Sequence, residues 1–236
     1  MYFRTMQARK VLPNVLTMGN LISGVLVIIG LAVWPFGAEM NEFHGADISE
    51  TGALAQQWKG SGMLMLAIIW AFGQLCDLFD GLAARWAKVD GAMGVQLDSM
   101  ADLVSSGVTP AVAGIIFLHT WAPALPTAVK FLPLTMVLAA AWRLARFNVE
   151  VNQSGQAKGF SGLPAPAGAL WWIGILLIGA QYQHGGSFGL YGTGGVMVVM
   201  LSILIGSTLI PLLMISRIPL MDMKGWKGDQ NYDRKR

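Results

Sequence analysis

Asp77, Asp80, Asp98 and Asp102 all fall in the stretch CDLFDGLAARWAKVDGAMGVQLDSMAD, Cys76 to Asp102. Carboxylates are hard oxygen ligands suited to Mg²⁺, Mn²⁺ or Ca²⁺. On a helix, Asp77 and Asp80 share a face at i, i+3, and Asp98 and Asp102 share one at i, i+4. Gly94 lies one turn before Asp98 on that face, and Ser105 and Thr109 continue it. Asp90 and Gly91 between the pairs read as a tight turn. An antiparallel helix pair would then bring the two carboxylate faces together. Four carboxylates suffice for two divalent cations, and a two-metal site is a device for phosphoryl transfer.

The elements that must position these residues are apolar. Of 236 residues, 54% are hydrophobic and 12% charged, against roughly 25% charged in soluble domains. The mean hydropathy is +0.54. About 20 apolar residues cross about 30 Å of hydrocarbon. Six segments qualify: Val15–Trp34, Gly62–Ala83, Gly94–Leu118, Ala128–Phe147, Pro166–Tyr182 and Gly195–Ile215. The expected fold class is therefore all-α, a polytopic membrane protein with six transmembrane helices. The expected divisions are an N-terminal segment 1–14, a membrane domain 15–216 and a basic tail 217–236. In this arrangement fourteen Lys and Arg fall on one side and only Lys59 and Lys130 on the other. The positive-inside rule then puts both termini and the Ala84–Met93 turn in the cytoplasm, and the Pro35–Gly60 loop outside. The single Cys76 excludes an intrachain disulfide.

A lone aspartate at a helix end is usually a solvated cap or a salt-bridge partner. Four on two apolar helices are different. A charge at a helix centre costs roughly 2.5–3.5 kcal/mol even on the lenient insertion scale, and such residues mark functional sites by default. Arg85 and Lys88 are too few, and too close to the turn, to neutralise the cluster. Bound cations would. A proton or cation pathway is the other functional reading.

The pattern Asp77-x₂-Asp80-Gly81-x₂-Ala84-Arg85-x₈-Gly94-x₃-Asp98-x₃-Asp102 resembles the signature of the CDP-alcohol phosphotransferases, membrane enzymes with six transmembrane helices. The segments LPNVLTMGNLISG (Leu12–Gly24), GVQLDSMADLVSSGVTPA (Gly94–Ala111), RLARFN (Arg143–Asn148) and GFSGLPAPAGA (Gly159–Ala169) are similar to its serine-using branch. The resemblance implies two divalent cations, Mg²⁺ or Mn²⁺, held by Asp77, Asp80, Asp98 and Asp102, with Asp102 as general base. It implies that Asp77, Gly81, Ala84, Arg85 and Gly94 border the CDP group. It also implies CDP-diacylglycerol and L-serine as substrates, membrane lipid and a second copy of the chain as partners, and no nucleic acid. The setting implied is a bacterial inner membrane with the active site facing the cytoplasm. Other acceptors in the same family (glycerol 3-phosphate, inositol phosphate, choline) stay open, as does a divalent-cation carrier. The chain departs from the branch at Gly91, where Ser is usual, and at Ser106, where Phe is usual.

Other residues carry two readings each. Arg143 and Arg146 anchor a helix end at the cytoplasmic face, or bind the lipid-linked phosphate or the serine carboxylate. Asn14 caps the first helix. Asn20 lies deeper, where an unpaired amide is costly, and is assigned with the two arginines to lipid-phosphate or serine binding. Pro164 and Pro166 open the fifth helix, a position that needs no function. Trp171 and Trp172 read as interfacial belt or packing. His44, His119 and His184 fall on the outward side and take no catalytic role.

Overall fold

The computed structural model describes the backbone of residues 2–43, 48–87, 92–122, 124–154, 162–183 and 193–216, and the side chains of most of these. Every regular element in them is helical. The elements are α1 (Tyr2–Phe43), α2 (Ile48–Ala87), α3 (Ala92–Asp102), a π-helical segment (Leu103–Val108), α4 (Thr109–Trp121), the single turn α5 (Thr127–Lys130), a 3₁₀ turn (Leu132–Leu134), α6 (Thr135–Ser154), α7 (Ala165–Gln183) and α8 (Thr193–Ile215).

Among the described residues, five apolar stretches are long enough to cross a membrane: Pro13–Val33, Gly62–Leu82, Met93–Thr120, Thr127–Val149 and Met197–Ile215. A shorter apolar helix, Ala165–Ala180, stands at the fifth expected position. The chain is thus a polytopic membrane protein. Its outer face is oily: Val15, Ile22, Ile29, Ile68, Phe72, Leu138, Trp142 and Leu212 are exposed. Such faces need lipid around them. Its interior carries polar groups instead, among them Asn20, Gln74, Asp80, Asp102, Ser105, Ser106, Thr109 and Arg143.

α1 and α2 pack along each other as the most extensive helix pair, with α3 and the π segment against α1. The approach is close where side chains are smallest. A Cβ on Gly73 would collide with the Ser23 hydroxyl, and one on Gly24 would lie 3.0 Å from the Ser105 Cα. The central apolar core joins Val27, Trp70, Phe117, Leu118, Met136, Trp172, Leu176, Ile203 and Met214. Trp172 is buried in it, while the Trp171 indole donates to the Ser202 carbonyl at 3.2 Å, so both pack against helices. Gly162 closes the bundle near the end of α8 with φ +85°, which favours glycine, and a Cβ there would lie 2.6 Å from the Met214 carbonyl oxygen. The neighbouring Leu163 N–H donates to the Leu213 carbonyl at 3.0 Å.

Three expectations need correction. α1 begins at Tyr2, so Asn14 lies within the helix and caps nothing. Much of the expected Pro35–Gly60 loop is helical, since α1 runs to Phe43 and α2 starts at Ile48; runs such as GALAQQW are rich in good helix formers. The third span is not one regular α-helix. Pro110 has no N–H to give the Ser106 carbonyl, so the ladder cannot close at i−4 there. The Thr109 N–H bonds back to the Val104 carbonyl instead, five residues away, and the turn widens into the π segment.

Candidate active site

The widened turn starts immediately after Asp102, which is the last residue of α3. It also frees the Ser105 carbonyl, whose usual i+4 donor is committed elsewhere. The Trp70 indole N–H of α2 fills that position at 2.9 Å. The Thr109 hydroxyl donates to the Val104 carbonyl at 2.8 Å and reaches the Gly24 carbonyl of α1 at 3.3 Å. These bonds tie the helix bearing Asp98 and Asp102 to both α1 and α2.

The result is a three-carboxylate cluster. One oxygen from each of Asp77, Asp98 and Asp102 lies within 4.8 Å of the others. Two metal–oxygen bonds of about 2.0–2.6 Å span roughly 4–5 Å, so the spacing suits one hard divalent cation. The Asp77 and Asp102 carboxylates lie close together within the cluster and share the Asn20 amide as donor. Two such groups tolerate that proximity only with a proton or a cation between them. The donor set therefore fits a metal.

Asp80, one turn along α2, stands apart from the three. It is 5% exposed and accepts a hydrogen bond from the Thr17 hydroxyl at 2.8 Å. It remains in electrostatic reach of Asp98 and Asp77. Asn20 of α1 donates through one nitrogen to Asp77 at 3.3 Å and to Asp102 at 3.5 Å. Arg143 of α6 is 8% exposed and, among the described residues, is a cation within electrostatic reach of Asp102 and Asp77. Arg146 points elsewhere: it donates to the Ile215 carbonyl at 3.0 Å, at the C-terminal end of α8, where a cation suits the helix dipole.

Gly81 is exposed, and a Cβ there would meet nothing within 4 Å among the described residues. Among the described residues, Gly94 would meet the Asn14 amide oxygen alone, at 3.6 Å. Both glycines therefore leave open room beside the carboxylates. Ala84 and Arg85 lie on the last turn of α2, their side chains outside the described residues, as is Gly91 altogether. Ser106 donates to the Gln74 amide oxygen at 3.4 Å. His119 sits in the last turn of α4, away from the carboxylates, bonded to the Ile115 carbonyl. Thr17, Trp70 and Gln74 escape a reading by residue type alone. Their signal is spacing: Pro13, Thr17, Asn20 and Gly24 fall on one face of α1, and Trp70, Gln74 and Asp77 fall on one face of α2.

The chain matches the sequence profile of CDP-alcohol phosphatidyltransferases over residues 10–210. It belongs to that family. Among CDP-alcohol phosphatidyltransferases it is similar to proteins named CDP-diacylglycerol–serine O-phosphatidyltransferase from several organisms. The Mycobacterium tuberculosis H37Rv protein is 34% identical over 185 residues, 76% of this chain and 58% of that protein. The Mycobacterium leprae protein is 39% identical over 115 residues, 46% of this chain and 37% of its own length. The Bacillus subtilis 168 protein is 28% identical over 193 residues, 81% of this chain and 86% of that protein. The match thus spans about a third to just over half the length of these mycobacterial relatives.

Proposed function

We propose that this protein transfers the phosphatidyl group of CDP-diacylglycerol to the hydroxyl of L-serine, giving phosphatidylserine and CMP. The observation that carries the reading is the convergence of Asp77, Asp98 and Asp102 in a membrane chain of this family. The serine acceptor is supported by the names of the relatives. In the proposed arrangement all six apolar helices cross a bacterial inner membrane, both termini face the cytoplasm, and two copies of the chain associate.

The resident group would be two divalent cations, Mg²⁺ or Mn²⁺, held by Asp77, Asp98 and Asp102 with Asp80 as the further ligand; when bound they neutralise the pyrophosphate and the leaving CMP. The chain's own residues do the rest. Gly81 and Gly94 leave the CDP room against α2 and α3, with Ala84 and Arg85 on the last turn of α2 completing its border. Asp102, at the end of α3, takes the proton of the acceptor hydroxyl. Its buried position between Asn20 and Arg143 holds it at one angle as the oxygen attacks phosphorus on the diacylglycerol side. Arg143 supplies the positive charge for the serine carboxylate or the lipid-linked phosphate, a task suited to its planar fork of donors.

The test is CMP release by the purified protein given CDP-diacylglycerol and Mn²⁺, with one acceptor alcohol added at a time. Release that requires L-serine, with phosphatidylserine as the lipid product, is the expected result. Release driven only by glycerol 3-phosphate, inositol phosphate or choline would keep the family and overturn the acceptor. No release with any acceptor, from folded protein, would sink the transferase reading in favour of cation transport.

A further inference from the structure

Asn20 was expected, from its residue type and depth, to bind substrate. Its surroundings give it a different task. Its side-chain nitrogen is shared between Asp77 on α2 and Asp102 on α3, so the amide spans the two helices that hold the carboxylates. The amide orientation follows from the partners, since two carboxylate oxygens require the NH₂ end. The other end, Oδ1, is buried and has no hydrogen-bond partner among the described residues. It faces Gly73 of α2: a Cβ on that glycine would lie 3.4 Å from it. Asn20 as a whole is 0% exposed. A substrate thus has no approach to the free oxygen, and the nitrogen is already committed to the two carboxylates.

We infer that Asn20 is a positioning residue, a neutral brace that holds Asp77 and Asp102 at cation-binding separation, and that the seating of α1 on Gly73 sets that brace. The inference rests on the metal-site reading above. Three features carry it. The amide joins two carboxylates from different helices. A neutral donor adds no charge that would compete with a cation, as a lysine would. The contact depends on helix approach, because the Gly73 Cβ position is occupied by the Ser23 side chain, and the Ser23 hydroxyl is itself bonded to the Asn20 carbonyl at 2.7 Å. Any side chain on Gly73 must therefore lift α1, and Asn20 with it, away from the carboxylates.

The readout is Mn²⁺ binding to the purified full chain without substrate, followed by electron paramagnetic resonance, beside the thermal midpoint of the metal-free protein. Asn20→Leu, near in size and without a donor, should weaken Mn²⁺ binding about 10–100-fold, the usual effect of losing a partner that orients a ligand. Its metal-free midpoint should fall modestly, because Asp77 and Asp102 lose a donor, so Mn²⁺ binding is compared at a temperature where both proteins are folded. Gly73→Ala should weaken Mn²⁺ binding similarly, and Ser23→Gly in the same chain should restore it by vacating the space. That rescue also keeps the test decisive should Asn20→Leu fail to fold. Unchanged Mn²⁺ binding in Asn20→Leu, with a raised KM for CDP-diacylglycerol or serine, would overturn the brace and return Asn20 to substrate binding. A wild-type protein that binds no Mn²⁺ would overturn brace and metal site together. One that binds Mn²⁺ but releases no CMP would remove the proposed reaction and leave the brace standing.

Discussion

At the scale of single residues, the site is an arrangement of acceptors held by a few donors. Asp98 is the simplest case, because none of its described hydrogen bonds ties it to α1. Asp98→Asn keeps the volume and removes the charge, so CMP release should vanish while the protein still purifies as a folded species; activity retained in detergent would sink the metal assignment. Thr17 is subtler. Its hydroxyl donates to Asp80 at 2.8 Å and so orients the proposed further ligand beside the three-carboxylate cluster. Thr17→Val should lower CMP release about 10–100-fold, and Thr17→Ser, which retains the hydroxyl, should recover most of it. Removing divalent cations with EDTA should stop turnover in the wild type, and added Mn²⁺ or Mg²⁺ should bring it back.

At the scale of elements, two prolines decide where backbone carbonyls go. Pro110 leaves the Ser106 carbonyl without its i+4 donor and accompanies the π segment after Asp102. Pro211 does the same inside α8: the Ser207 carbonyl loses its usual donor, and the Thr135 hydroxyl of α6 bonds to it. At Pro211 the missing N–H becomes a tie between α8 and α6, whereas beside Pro110 the tie falls one residue earlier, from the Trp70 indole to the Ser105 carbonyl. Pro110→Ala would let the ladder close at i−4 and rotate Asp102 against the residues after it. The variant should fold with an unchanged or raised melting temperature and lose most CMP release. Trp70→Phe should act on stability instead. It leaves the buried Ser105 carbonyl unpaired, at a cost of about 1–3 kcal/mol, read as a lower melting temperature in detergent.

At the scale of the whole molecule, polarity is turned inward. The lipid-facing surface is Val, Ile, Leu, Phe and Trp, while the carboxylates, amides and Arg143 sit inside. This is the arrangement that a lipid substrate and a polar one would require, since their chemistry must occur where hydrocarbon meets water. The placement of the Lys and Arg residues predicts cytoplasmic termini. A cysteine introduced as Gln230→Cys in a Cys76→Ala background should react with a membrane-impermeant maleimide only after the cells are permeabilised. Labelling of intact spheroplasts would reverse the orientation.

The sequence by itself determined the class of the protein and its candidate reactive groups. Hydropathy over about 20 residues reports a span without any knowledge of neighbours, and aspartates at i, i+3 and i, i+4 share a face in any helix. The resemblance to the family was legible for the same reason, being a matter of local spacing. What residue spacing left open was contact between helices distant in sequence. Asp77 meets Asp102 while Asp80 turns to Thr17, Arg143 faces the carboxylates while Arg146 closes the end of α8, and Asn20 bridges two helices. Each depends on how closely and at what rotation the helices pack. That is set by Gly24, Gly73 and the widened turn before Pro110, whose effects are felt only once the helices are brought together.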